Sequence, residues 1–362
     1  MRKYRVGVIG ATGMVGQRFV TLLSGHPWFE LVLVAASARS AGRTYGEAVA
    51  GRWMMAEPCP EAAAKLTVYD AADVEKVAEQ VDFVFCAIAA TKDETRRIEE
   101  AYARAETPVV SNNSANRAVS DVPMLIPEIN HAHIAVIDAQ RRRLGTRRGF
   151  IAVKPNCSIQ SYVPALTPLM DFGPEKIMVC TYQAISGAGK TFETFPDILD
   201  NVIPYIGGEE EKSEQEPLKI WGSLNADCSA VVPAAAPVIS AQCLRVPVSD
   251  GHTAAVSVSF RKKPAMDEIL DAWAQWKTLP QELGLPSAPT PFVRYMTEND
   301  RPQAKLDRDF ERGMGVSVGR LRPDPILDWR FVCLSHNTMR GAAGGGVLSA
   351  ELLCAKGCIE RK

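Results

Sequence analysis

The sequence predicts an α/β protein, with an N-terminal Rossmann-like doubly wound sheet followed by an α+β unit built on a mostly antiparallel or mixed sheet. Three observations predict it. An apolar run, Arg5 to Ile9, meets the glycine turn Gly10-Ala-Thr-Gly13-Met-Val-Gly16 and then an amphipathic helix to about Leu23. Apolar runs and helical patterns then alternate up to Ser111, as βα units of a parallel sheet do. Beyond Cys157 the pattern changes: Val256, Val258 and Phe260 alternate with small or polar residues, as in a sheet with one covered face. The expected division is 1–155 with 337–362 as a nucleotide-binding unit, and 156–336 as a catalytic and dimerisation unit.

Taken in order, the glycine turn suits a dinucleotide, because glycines permit a tight turn and close approach of backbone to a pyrophosphate. The second strand, Leu31 to Ala36, runs into Ser37-Ala-Arg39-Ser40 rather than an acidic residue. An arginine with hydroxyls suits a 2′-phosphate, so NADP(H) is expected over NAD(H). Arg43 to Leu66 reads as irregular. Asp73–Gln80 reads as helix, Asp82–Ile88 as strand, Lys92–Arg104 as a charged helix and Pro108–Ser111 as strand. Arg117 follows that strand and is a candidate anion ligand.

Phe150 to Val153 is a short strand broken by Pro155 and Asn156, with Ser158 the expected N-cap of a helix from Ile159 to Leu169. Cys157 thus stands where a strand ends and a helix begins, a setting expected to depress a thiol pKa. Further strands are expected at Lys176–Ser186, Ala254–Phe260, Gly315–Arg320 and Leu327–Leu334. Met266–Trp276 and Gly341–Cys354 read as helices, the second returning to the first unit. Gly207 to Trp221 reads as a charged loop or helix start.

Of five histidines, His26, His131 and His133 sit in contexts resembling surface turns or helix starts, and His252 just precedes a strand. A cysteine nucleophile needs a proton partner, and His252 is the favoured one. Arg245, seven residues earlier, suits a substrate carboxylate. Ser186-Gly-Ala-Gly-Lys190-Thr191 ends like a P-loop, but the position of its first glycine holds Ala184, so a phosphate-transfer ATPase is set aside.

The 362 residues are 46% hydrophobic and 23% charged with net charge −1, which allows a sizeable core and argues against nucleic acid or membrane surfaces as partners. Nine cysteines without paired spacing suggest a reduced, cytoplasmic protein, and no metal site is expected, Cys354 and Cys358 included.

Together, Gly10–Gly16, Lys154-Pro-Asn-Cys157-Ser, Tyr182-Gln183-Ala-Ile-Ser186-Gly187-Ala-Gly, Gly208-Glu209-Glu-Glu-Lys212, Arg245-Val-Pro-Val-Ser-Asp-Gly-His252 and Asn337-Thr-Met-Arg-Gly341-Ala-Ala-Gly resemble aspartate-semialdehyde dehydrogenases, with the look of the archaeal and fungal branch. The resemblance implies NADPH-dependent reductive dephosphorylation of 4-phospho-L-aspartate in lysine, threonine and methionine biosynthesis. It implies Cys157 as nucleophile and His252 as acid–base, with Gln183, Glu209 and Arg245 holding substrate and Arg117 and Lys212 holding phosphate. Gly10, Thr12, Gly13, Met14, Val15, Ser37, Arg39, Ser186, Gly187 and Asn337 would contact NADP. Which of Glu209, Glu210 and Glu211 meets the substrate amine is left open at this point. A homodimer or homotetramer is expected.

Overall fold

The computed structural model describes residues 2–362. Six short strands form the first sheet: β1 (Tyr4–Ile9), β2 (Phe29–Ala36), β3 (Val68–Asp70), β4 (Phe83–Cys86), β5 (Val109–Ser111) and β6 (Ile151–Val153). All pair in parallel, in the order β3-β2-β1-β4-β5-β6. This is the doubly wound order, and its switch point lies between β1 and β4. Ligands in such sheets sit beyond the carboxyl ends of the strands. Here those ends carry Gly10, Asn112 and, after β6, Lys154 to Cys157.

The strands of this sheet are mostly apolar because helices cover both faces, with Arg5, Glu30 and Asp70 near strand ends. The last helix, Gly344–Ala355, packs against the core of this first sheet. Its Val347, Ala350 and Leu353 share a core cluster with Phe19 and Phe85, whose rings stack at 4.6 Å. A Cβ on Gly346 would fall 2.9 Å from the Phe19 ring, so the helix lies hard against the nucleotide-side core.

The remaining strands are β7 (Pro174–Gln183), a small ladder of β8 (Ser223–Leu224) and β9 (Val231–Val232), β10 (Val238–Arg245), β11 (His252–Phe260), β12 (Val293–Met296), β13 (Val316–Pro323) and β14 (Trp329–Ser335). Six of them form a mixed sheet, β10-β7-β11-β14-β13-β12, parallel at its two outer pairs and antiparallel between. One face carries Val256, Val258 and Phe331 into a core closed by the wholly buried Ile159–Leu166 helix and Trp273, whose indole N–H donates to the Ala165 carbonyl at 2.7 Å. The other face is bare: Met178 is 56% and Val238 69% exposed, and a shallow groove of about 650 Å³ runs across it.

Several sequence expectations change. β10 and β12 are strands the pattern did not reveal, and His252 opens β11 rather than preceding it. Arg43 to Leu66 contains the capped turn Tyr45–Val49, and the Tyr45 hydroxyl donates to the Ala11 carbonyl at 2.8 Å, bracing the glycine turn. Gly207 to Trp221 holds a true helix, Glu209–Ile220. Pro217 inside it has no N–H to offer Ser213, and that carbonyl instead accepts the Tyr162 hydroxyl at 2.6 Å. His26 and His133 are buried, not surface residues: His26 binds Glu351 and His133 binds Asn130 and the Gly222 carbonyl. The Ile159 helix ends at Leu166 and continues as a tighter 3₁₀ turn to Phe172.

Candidate active site

Cys157 and His252, 95 residues apart, meet: Sγ lies 3.4 Å from Nε2. The sulfur comes from the turn after β6 and the imidazole from the first residue of β11, so the pair joins the two sheets. His252 is fully buried, and its Nδ1 accepts the Ala184 N–H at 3.0 Å. Burial foremost, then Arg245, His336 and Lys154, hold this imidazole well below its ordinary pKa.

The thiol departs from expectation. Burial foremost, then the Glu209 carboxylate, push its pKa up, against Lys154, Arg117 and Arg245, which pull it down. The anticipated help from the helix start is weak for a local reason. Ser158 has helical backbone angles and its hydroxyl caps nothing; its N–H and hydroxyl both donate to Asn156 Oδ1 at 2.7 Å. The amide that follows the cysteine is therefore already committed.

Around this pair the charged side chains form one connected ring. Arg117 donates from Nη1 to Glu216 Oε1 at 2.9 Å and from Nη2 to the Asn112 carbonyl at 3.1 Å. The other Glu216 oxygen accepts the Asn156 N–H at 2.5 Å. The Asn156 amide donates to both oxygens of Glu209, each at 3.0 Å, and Lys212 Nζ donates to Glu209 Oε1 at 2.8 Å. Gln183 reaches Glu209 Oε2 at 3.4 Å. Of the three consecutive glutamates, Glu209 faces this ring, while Glu210 accepts the Cys243 N–H on the β10 side and Glu211 is exposed.

Arg245, the last residue of β10, donates to the Ala184 carbonyl at 2.6 Å. Thus Ala184 binds His252 through its N–H and Arg245 through its C=O. Gly187 lies on the same two side chains: a Cβ there would fall 3.1 Å from Arg245 Nη1 and 3.2 Å from His252 Nε2. Gly187, in the segment that ends like a P-loop, therefore forms part of this wall. Asn337 ties the wall together, donating to Ser186 Oγ at 2.8 Å and accepting the Gly251 N–H at 2.8 Å.

The glycine turn fits a dinucleotide on steric grounds. Gly10 has φ of +83°, and a Cβ there would sit 2.4 Å from the Ala87 carbonyl; at Gly16 it would sit 2.1 Å from the Gly10 carbonyl. At the exposed Gly13 the nearest atom would be 3.7 Å away, so its bare backbone faces open space. Met14 and Arg18 share a cavity of about 120 Å³ with Ser186, Asp250 and Thr338, which links the turn to the second unit. Ser37 and Arg39 are exposed just beyond β2, the parallel neighbour of β1.

Sequence reasoning did not single out Glu216, or Asn156 as more than a breaker of the strand. A helical reading of 209–220 would have found the first. Glu209, Lys212, Ser213 and Glu216 recur at i, i+3, i+4 and i+7, a single helix face.

The comparisons agree along the whole chain. Residues 5–137 match the semialdehyde dehydrogenase NAD binding domain, and residues 166–340 match the semialdehyde dehydrogenase dimerisation domain. An aspartate-semialdehyde dehydrogenase of Archaeoglobus fulgidus is 42% identical over 97% of this chain and 98% of its own. The chain belongs to the aspartate-semialdehyde dehydrogenase family. The enzyme of Schizosaccharomyces pombe is 44% identical over 98% of this chain and 99% of its own. A crystal structure of aspartate semialdehyde dehydrogenase with NADP from Candida albicans superposes with a TM-score of 0.89 at 40% identity, covering 98% of this chain and all of that one. Aspartate semialdehyde dehydrogenase II of Vibrio cholerae, complexed with ASA, gives a TM-score of 0.73 at 25% identity over 98% of this chain and 99% of that one. The archaeal and fungal likeness expected from the motifs is thus met, and the protein is an oxidoreductase of this family.

Proposed function

We propose that the protein reduces 4-phospho-L-aspartate to L-aspartate 4-semialdehyde with NADPH, releasing phosphate, through a thioester on Cys157. The observation that carries this reading is the 3.4 Å approach of Sγ to His252 Nε2 in a cleft holding two separate arginines, Arg117 and Arg245. The substrate has two anionic ends, a carboxylate and an acyl phosphate, and a guanidinium suits each.

In this reading Sγ attacks the acyl carbon, the carbon–oxygen bond to phosphate breaks, and phosphate leaves towards Arg117 and Lys212. Arg245 holds the α-carboxylate, Gln183 helps to orient the chain, and Glu209 accepts the α-ammonium. His252 Nε2 manages the proton beside the sulfur when the thioester is formed and when the product is released. The exposed backbone at Gly13, with Gly10, Thr12, Met14 and Val15, would hold the cofactor pyrophosphate. Ser37 and Arg39 would hold its 2′-phosphate, and Ser186, Gly187 and Asn337 would line its nicotinamide end. When bound, NADPH supplies the hydride that reduces the thioester. A reductase for an N-acetylated acyl phosphate has no ammonium for Glu209 to meet, so the buried carboxylate favours the free amino acid.

The product would feed lysine, threonine and methionine synthesis. A reducing cytoplasm suits nine unpaired cysteines among the described residues. The bare face of the mixed sheet would bury itself against a second copy, giving a homodimer or a tetramer built from dimers. The test is NADP⁺ reduction by L-aspartate semialdehyde with and without phosphate. Phosphate-dependent reduction is expected; equal rates without phosphate or arsenate would remove the acyl-phosphate reading.

A further inference from the structure

We propose that Lys154 is the counter-charge of the Cys157 thiolate, and that His252 stands beside the sulfur as a proton donor, not as an imidazolium partner. The proposal rests on Cys157 being the nucleophile.

The histidine half follows from the Ala184 amide. A backbone N–H is always a donor, so Nδ1, which accepts it at 3.0 Å, carries no proton in this arrangement. The neutral ring then keeps its proton on Nε2, the atom 3.4 Å from Sγ. An imidazolium would set one N–H against another inside a ring with no exposed surface. Apart from Cys157 itself, 3.4 Å away, the charged and titratable groups that act on His252 are Arg245, His336 and Lys154, all of which disfavour a second proton on it. In the resting enzyme His252 can donate to the sulfur but is poorly placed to take the thiol proton.

The thiolate therefore needs its positive charge from elsewhere. The cations whose charge pulls the thiol pKa down are Lys154, Arg117 and Arg245, against the carboxylate of Glu209, which pushes it up. Arg117 is bound to Glu216 and to the Asn112 carbonyl, and Arg245 to the Ala184 carbonyl. Lys154 is only 1% exposed, yet among the described residues its ammonium has one hydrogen bond, to the carbonyl of its own neighbour Pro155. A buried ammonium with two unused donors is costly unless a charge stands nearby. Burial foremost pulls this lysine down to about 7, helped by Arg117 and Arg340 and opposed by Cys157 and Glu216. Ionising the sulfur therefore favours the charged lysine, and the charged lysine favours the ionised sulfur. The thiol proton goes to solvent, and thiolate and ammonium balance.

The packing keeps these two residues together. One kinked segment closes on both: a Cβ at Gly341 would fall 2.9 Å from Cys157 Cβ, and one at Gly345 would fall 3.5 Å from Lys154 Cδ and Cε.

The test is the pH dependence of Cys157 alkylation by iodoacetamide, followed by mass spectrometry on the full-length enzyme. Lys154→Met keeps the length of the side chain and removes its charge. It should raise the alkylation midpoint by about one pH unit, a roughly tenfold slower reaction near pH 7. His252→Asn should shift the midpoint less. An unchanged midpoint in Lys154→Met, or a larger shift in His252→Asn, overturns the proposal. Unaltered NADPH affinity of each variant certifies its fold. A second measurement needs no variant. In the ¹⁵N-histidine spectrum of the wild-type enzyme, His252 should show the neutral ring with its proton on Nε2 from pH 6 to 9. An imidazolium, or a proton on Nδ1, overturns the proposal even if Lys154→Met fails to fold. If instead Cys157→Ser keeps turnover, the nucleophile reading fails, whatever the alkylation and spectra show.

Discussion

The two six-stranded sheets divide the work differently. The parallel sheet is covered on both faces and carries turns at its strand ends: the glycine turn after β1 and the Asn156–Cys157 turn after β6. The mixed sheet alternates, leaves one face bare with Met178 and Val238 exposed, and brings side chains to the site from its strand ends, namely Gln183, Arg245 and His252. A sheet buried on both sides gives a rigid floor. A sheet with one free face can present chemistry at its end and still offer an interface. The difference suggests that damage to the first should read out as lost cofactor affinity, and damage to the second as lost turnover or lost assembly.

The largest effect should come where the two sheets meet. Cys157→Ala should lower the steady-state rate by at least about 10⁴-fold, as loss of a covalent nucleophile does, while NADPH fluorescence titration shows an intact floor. Next is a side chain of the mixed sheet. Arg245→Lys keeps the charge but loses the planar fork, and kcat/KM for the semialdehyde should fall by about 10²-fold with little change in NADPH affinity. If affinity for NADPH falls equally, the division of labour is wrong.

How far the chain could be read beforehand follows the same division. Runs such as β1 and β4 are continuous and apolar because both faces are covered, so their existence was plain from composition alone. β10 was hidden because Ser240 and Gln242 point to the bare face and break its apolar pattern, and because Pro237 precedes it. The pairing of Cys157 with His252 was legible from residue chemistry and from family motifs. The ring of Glu216, Asn156 and Glu209 was not, since Pro217 disguised the helix that carries two of them. Nor was the rise in the thiol pKa, which depends on which amides are already bonded and how deeply the sulfur lies.

Two smaller effects sharpen the contrast. Met178→Asp on the bare face should weaken self-association by about tenfold or more, since a charge must lose its water there. Sedimentation velocity across a dilution series checks this, and unchanged assembly would move the interface elsewhere. A Cβ at Gly13 meets nothing closer than 3.7 Å, so the melting temperature of Gly13→Ala should stay within a degree or two. Its NADPH affinity should nevertheless drop by about tenfold, because a methyl group stands where the pyrophosphate approaches. Wild-type affinity in Gly13→Ala would mean that the cofactor lies elsewhere.

The kinked turn at Met339–Ala343 leads into the final helix, and within it Gly341 presses on Cys157 while Gly345, a turn later, presses on Lys154. During synthesis the sulfur emerges from the ribosome long before this wall does. Until the segment from Met339 to Ala355 has been made and has packed, Cys157 and Lys154 have no wall on that side, even in a chain that already carries both sheets. The enclosure of these two side chains is therefore a later event in synthesis than the making of either sheet.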